Sequence, residues 1–445
     1  MDQRSELKRQ LGLPTATALI VGEVIAVGIF LTPAGMAKSL GSPFWLLSVW
    51  LVMGLMALCG ALCYGELAAR FPAAGGGYVY LREAYGPAVA FLYGWMAFLV
   101  MGPGITAALA IGLAGYAGYS LGLSPTGMKI VAIVAIILVA AINIRGVKLG
   151  GWLIRWLTLL KLGMLLFILL WGFGLRLGDW GNFTPFISQR EGSLPLFGAL
   201  AGAMVAAFFS FGGWWDVTKL AGEVRDPART LPRALTYGVI IVTLVYILTS
   251  AVFIYLVPLD RVSSGKTFAA QAGEALFGRL GGQVFSAVVI VAVLGSLAGI
   301  ILSAPRVYFA MARDGLFIPA AASLHARYET PARAIVLQAA LASLLVALGT
   351  FDQIVSYFIF VVVIFIALTV AAIFVLRRRT TSESNYLTPG YPATPIIFLL
   401  LITLLLFLLG ANNPKQALLG IVVVASGLPF YYLIFRRTRA AQKPD

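Results

Sequence analysis

The sequence predicts an all-α polytopic membrane protein of twelve transmembrane helices, and three observations carry that reading. Of 445 residues, 60% are hydrophobic and 11% charged, and the mean hydropathy is +0.95. The apolar runs are long enough to cross a hydrocarbon core. Two of them, Thr15 to Met36 and Leu196 to Leu220, are interrupted near their middles by glycines: Gly22 and Gly28 in the first, and Phe211-Gly212-Gly213-Trp214-Trp215 in the second. Helices are the expected form, because lipid leaves every backbone polar group to be satisfied within its own segment and a weakly alternating barrel pattern is absent. Paired interruptions at matching places in two halves point to a secondary transporter, since unwound backbone there offers N–H and C=O groups to a ligand at mid-membrane depth.

The first window follows a short polar leader, Met1 to Gly12, with no small-residue cleavage site, so it is expected to be retained. After the first window the chain continues through Phe44 to Ala69, Ala88 to Leu121, Met128 to Ile144 and Trp152 to Phe173. Beyond Leu196 to Leu220 it runs through Ala234 to Val257, Gly282 to Ala312, Ala332 to Leu348, Phe351 to Leu376, Thr394 to Leu409 and Gln416 to Phe435. This divides the chain into a leader (1–14), a first block of five spans (15–174), a second block of five (196–376), an appended pair (394–436) and a tail (437–445). Five is odd, so the second block starts on the opposite face and the repeats are inverted. Internal identity between the blocks is faint, and the inversion rests on span counting and on the two breaks.

The formal charge of +15 is explained by topology. With a cytoplasmic N-terminus, Lys and Arg fall roughly 23 inside against 8 outside, with Lys161 left in the membrane. Both termini are therefore expected in the cytoplasm of a protein integral to the cytoplasmic membrane. No soluble basic domain stands out, so nucleic acid is not an expected partner. Cys59 and Cys63 lie four apart on one helix face and read as packing residues. His325, the one histidine, falls in a predicted cytoplasmic loop. A metal or histidine-dependent enzyme needs more ligands than this; no catalytic residue, metal or cofactor is assigned. Gly75-Gly76-Gly77 lacks the Lys-Ser/Thr and the strand of a phosphate loop, so gradients are expected to drive transport in place of ATP.

Several motifs occur in a telling order: Gly22, Ile25, Gly28, Ile29 and Phe30; Gly65-Glu66-Leu67; Gly75 to Pro87 (GGGYVYLREAYGP); Phe211-Gly212-Gly213-Trp214; Glu223 with Asp226-Pro227 and Leu231-Pro232-Arg233-Ala234; Ala312-Arg313-Asp314-Gly315; and Thr330-Pro331. Over nearly its whole length the chain resembles the amino acid/polyamine/organocation superfamily, nearest its L-type amino acid transporter branch. The resemblance implies a LeuT-like five-plus-five inverted repeat with helices 1 and 6 broken, and a substrate held by backbone of those two spans. Free N–H groups at a half-helix start suit a carboxylate, and carbonyls at a half-helix end suit an ammonium. Ile25, Ala26, Val27 and Gly28 are expected to form one wall of the site, and Phe211, Gly212, Gly213, Trp214 and Trp215 the other. Where relatives read Gly-Ser-Gly, this chain reads Ala26-Val27-Gly28. Neither Ala nor Val tolerates positive φ as glycine does, so either the break is narrower or the ligand lacks the usual head group; the alternative is a tolerated substitution that leaves the backbone contacts intact. The bulk of Val27 and Trp215 points to a small or slim ligand.

Lys161 matches a lysine of sodium-independent relatives, which the resemblance places where sodium-coupled members hold Na⁺. A charge there costs about 3 kcal/mol on insertion scales, so carbonyl or carboxylate partners and a coupling role are expected. Glu23 is an acid that the motif does not call for; it is expected to bind a proton, to pair with Lys161 or another polar group, or to face an ammonium ligand. Asp216 and Lys219, three apart, read first as a local ion pair and second as a gate. The resulting expectation is an amino acid carrier that works by alternating access without sodium, as an exchanger or a proton symporter. An amine or polyamine carrier of the same fold is the first alternative, and a transport-inactive sensor or a channel-like pore the second. Some relatives use a single-span subunit joined through an outer cysteine; both cysteines here lie within a span, so no such subunit is expected.

Overall fold

The computed structural model describes residues 7–26, 28–259, 273, 278–348, 351–379, 386–412 and 414–435. Two helices, α1 (Leu13–Val24) and α2 (Gly28–Leu40), divide the first apolar window. They are followed by α3 (Pro43–Arg70), α4 (Gly77–Tyr85) and α5 (Pro87–Met96), which runs through a π turn at Ala97–Met101 into α6 (Gly102–Leu121). Next come α7 (Pro125–Ile144), α8 (Val147–Gly174) and α9 (Leu196–Phe211), then a 3₁₀ segment, Asp216–Glu223. The remainder comprises α10 (Pro227–Leu256), α11 (Gly281–Ser303), α12 (Pro305–Arg313), α13 (Ala332–Leu348), α14 (Phe351–Arg379), α15 (Ala393–Asn412) and α16 (Pro414–Ala425).

Local sequence sets the helix starts. Proline stands in the first turn of α3, α5, α7 and α10, where its missing N–H costs nothing and its φ is already helical. Ser42 and Ser124 cap α3 and α7 by accepting from Trp45 N and Gly127 N. The helices reach beyond the apolar windows at several ends: α8 begins at Val147 and α10 at Pro227, because short polar turns extend a helix without breaking its bonding.

Among the described residues, nine helices are long and apolar enough to cross a membrane; Leu13–Val24, Ala332–Leu348 and Ala417–Leu433 are shorter apolar helices. Large apolar side chains such as Leu51, Leu55, Leu160, Phe167, Leu170 and Phe407 stand exposed on the outside. A soluble monomer rarely shows so much apolar surface; a bilayer covers it, and the protein is an integral membrane protein. Inside, α3 lies along α10, α1 packs against α8, α10 and α11, and α2 packs against α9. Both halves of the divided first window therefore sit in the interior of the bundle.

Candidate functional site

The first break forms where side chains capture carbonyls. A continuous helix would send the Ala26 N–H to Gly22 O, but it donates to Val24 O at 2.8 Å. Gly22 O is left to accept from Lys161 Nζ at 2.8 Å and Ser296 Oγ at 2.6 Å. The Lys161 ammonium also donates to Ile25 O and Ala292 O, each at 2.7 Å. All three of its protons are thus answered by carbonyls, and its side chain is fully buried.

Glycine geometry forms the second break. Helix α9 stops at Phe211, and Gly213 adopts φ +105°, a conformation that L side chains rarely reach. The chain then re-enters helix through Asp216 N donating to Gly213 O at 3.0 Å.

The two breaks meet. A Cβ on Gly28 would lie 2.8 Å from Ser210 Cα, so only glycine lets the start of α2 touch the last turn of α9. Tyr246 braces the junction from α10: its Oη stands 2.7 Å from Val24 O and 2.7 Å from Ser210 O, and its single proton serves one carbonyl at a time. Ser210 Oγ and Thr32 Oγ1, 2.9 Å apart, add a second tie.

A cavity of about 90 Å³ occupies this junction. Ala26, Gly28, Gly212, Gly213, Trp215 and Glu23 line it, together with Ser210, Ser296, Asp216 and apolar groups of α6 and α9. Of the other residues singled out in the sequence, Ile25, Phe211 and Trp214 are buried in the same region. Ile25 is buried and contributes its carbonyl to Lys161. Phe211 packs between Trp50 and Tyr246, with ring centroids 6.1 and 5.1 Å away, and Trp214 packs edge-on against Tyr64 at 5.1 Å. Val27 lies outside the described residues. Gly22 stays helical; a Cβ there would meet Thr158 Oγ1 at 2.5 Å, so this glycine permits close packing on α8 and does not interrupt the span.

Two polar atoms at the cavity have no partner among the described residues. Glu23 Oε1 accepts from Ser303 Oγ at 3.2 Å, whereas Glu23 Oε2 and the indole N–H of Trp215 are buried and unanswered. Asp216 has its cation, Lys219 Nζ, at 2.7 Å, both side chains being buried. Buried polar groups are almost always satisfied, so an unanswered acceptor and an unanswered donor on one cavity mark a place for a polar ligand. The sequence did not indicate Tyr246, Ser210, Ser296 or Ser303. Hydroxyls are common in apolar spans, and spacing alone does not say which carbonyl they reach.

Two interrupted helices facing a small buried cavity within a bundle of membrane-crossing helices define the class of secondary carriers. A family profile described as amino acid permease matches residues 11–434. The chain is 34% identical to the serine/threonine exchanger SteT of Bacillus subtilis (strain 168), over 97% of this chain and 98% of that one. It is 29% identical to the b(0,+)-type amino acid transporter 1 of Rattus norvegicus, covering 99% and 91%, and 27% identical to the cystine/glutamate transporter of Homo sapiens, covering 97% and 86%. The chain belongs to the amino acid permease family, within the amino acid/polyamine/organocation superfamily; it is an amino acid transporter and not an enzyme.

Proposed function

We propose that this protein exchanges small neutral amino acids across the cytoplasmic membrane by alternating access, without sodium, with serine, threonine and alanine as the first substrates to try. The observation that carries this reading is the meeting of the two breaks around a cavity of about 90 Å³, which has room for a small zwitterion and little more. The N-terminal turn of α2, beginning at Gly28, offers N–H groups and a partial positive charge to a carboxylate. The name of the bacterial relative supports a hydroxyl-bearing substrate, and the unanswered indole N–H of Trp215 suits such a hydroxyl. Lys161 fills with its own ammonium a nest of carbonyls that would otherwise suit a metal cation, which supports sodium independence. Twelve crossings follow if α1 and α2 count as one span and the two other shorter apolar helices also cross. The charge distribution then places both termini in the cytoplasm, and the two blocks of five form the inverted repeat.

Purified protein in liposomes loaded with unlabelled serine tests the proposal. Labelled serine, threonine or alanine should enter by saturable counterflow, equally fast in sodium and choline buffers and without an imposed proton gradient. A strict need for sodium or protons would replace exchange with symport. The carboxylates of Glu23 and Asp216 at the cavity favour a second reading, an amine carrier. Exchange of amines lacking a carboxylate, with no flux of amino acids, would establish that reading instead.

A further inference from the structure

We infer that Glu23 is the residue that recognises the ammonium of the transported solute, in place of the backbone carbonyls at the end of α1. The inference deepens the reading above and rests on it. Three of those carbonyls are already in use: Gly22 O by Lys161 and Ser296, Ile25 O by Lys161, and Val24 O by Ala26 N, with Tyr246 Oη also at 2.7 Å. An ammonium arriving at the first break would compete with donors already seated on these three.

Glu23 is built for the task. Its side chain lies in a slot between two glycines: a Cβ on Gly299 would come 2.3 Å from Glu23 Cγ, and one on Gly213 would come 3.4 Å from Glu23 Cβ. Ser303 holds Oε1, while Oε2, on the Gly213 side at 3.8 Å from that same ideal position, has no partner among the described residues. The nearby cations do not complete the carboxylate. Lys161 has spent its three protons on carbonyls, and Lys219 is paired with Asp216. A carboxylate 8% exposed, fixed by one hydroxyl and open to the cavity through its other oxygen, supplies the charge-assisted acceptor that an ammonium needs.

The test uses full-length protein in detergent and reads dissociation constants from ligand-dependent thermal stabilisation. Three probes are compared: L-serine; glycerate, which replaces the ammonium with a hydroxyl; and ethanolamine, which lacks the carboxylate. The natural protein should bind serine far better than glycerate. In Glu23→Gln, serine affinity should fall roughly 30-fold or more, the low end for removing one member of a buried charge pair. Glycerate affinity should hold or improve, so that the serine-to-glycerate ratio collapses. Ser303→Ala, which only frees Oε1, should reduce the same ratio several-fold and serves if Glu23→Gln fails to unfold cooperatively. An unchanged ratio in the variants, or equal loss of serine and glycerate, overturns the assignment. If the natural protein binds ethanolamine through Glu23 but no amino acid, the amino-acid reading fails while the ammonium site stands.

Discussion

Lys161 is a cation without a carboxylate partner among the described residues, held by three carbonyl oxygens at 2.7 to 2.8 Å from α1, its C-cap Ile25 and α11. Hydrogen bonds to a charged group contribute about 1.5–3 kcal/mol each, so this one side chain accounts for much of the force that keeps the first break open. Lys161→Ala should leave an assembled protein whose counterflow is slowed at least tenfold, a threshold of about 1.4 kcal/mol. Size-exclusion profiles and initial rates in liposomes check this, and unchanged flux kinetics would remove the lysine from the mechanism. Lys161→Arg should do no better, because three carbonyls converge on the ammonium at 2.7 to 2.8 Å and a planar guanidinium does not reproduce that compact point charge. At this scale the sequence was informative about charges and silent about hydroxyls. Lys161 and Glu23 stand out because a charge inside an apolar window demands an explanation. Tyr246 and Ser303 do not, although one braces both breaks and the other aims Glu23, since their partners lie from 36 to 280 residues away.

The broken spans work as elements only because they approach closely. Gly28→Ala would place its methyl carbon 2.8 Å from Ser210 Cα, a backbone atom that cannot rotate away, so overpacking should cost about 1–3 kcal/mol and separate α2 from α9. We expect a lowered thermal midpoint together with loss of exchange. Gly202→Ala in α9, whose added carbon would meet open space, should leave both unchanged. Equal behaviour of the two variants would show that the junction is not tightly packed. The sequence located both breaks to within a few residues but mistook the work of one glycine. Gly22 resembles Gly28 along the chain, yet it packs on Thr158 inside an intact turn, and the helix yields at Ile25 and Ala26, two non-glycine positions, because Lys161, Ser296 and Tyr246 take the carbonyls there. Periodicity reports what a segment prefers on its own, and this break is imposed by neighbouring helices.

Across the whole molecule, motifs that are far apart in sequence combine into clamps at one end of the bundle. Asp314 accepts from Tyr78 Oη at 2.7 Å and pairs with Arg82, Glu66 pairs with Arg377 at 2.6 Å and accepts from Thr388 N, and Gly75 N donates to Lys219 O. The order of these motifs was legible, whereas their pairing required the fold. The 3₁₀ segment after the second break is held most firmly. Glu223 Oε1 lies 2.7 Å from Arg306 Nε with both side chains buried, and its backbone oxygen accepts from Gln10 N and Leu11 N at 2.7 and 2.9 Å. On the alternating-access mechanism proposed above this end has to open, and such a carrier moves only if its closed and open forms differ by a few kcal/mol. Removing one member of a buried ion pair costs about 3–5 kcal/mol, here charged mainly to the closed form, which is enough to shift the population by two orders of magnitude or more. Arg306→Met and Glu223→Gln should therefore each increase the rate at which a membrane-impermeant thiol reagent, applied from the side bearing the leader, labels an introduced Ala26→Cys at the cavity; the native Cys59 and Cys63 are buried and a cysteine-free background removes them from the measurement. Because the same lesion favours one facing of the site, counterflow should slow while labelling quickens. Labelling that stays at the natural rate in both variants would mean that the pair holds helices together without taking part in the opening.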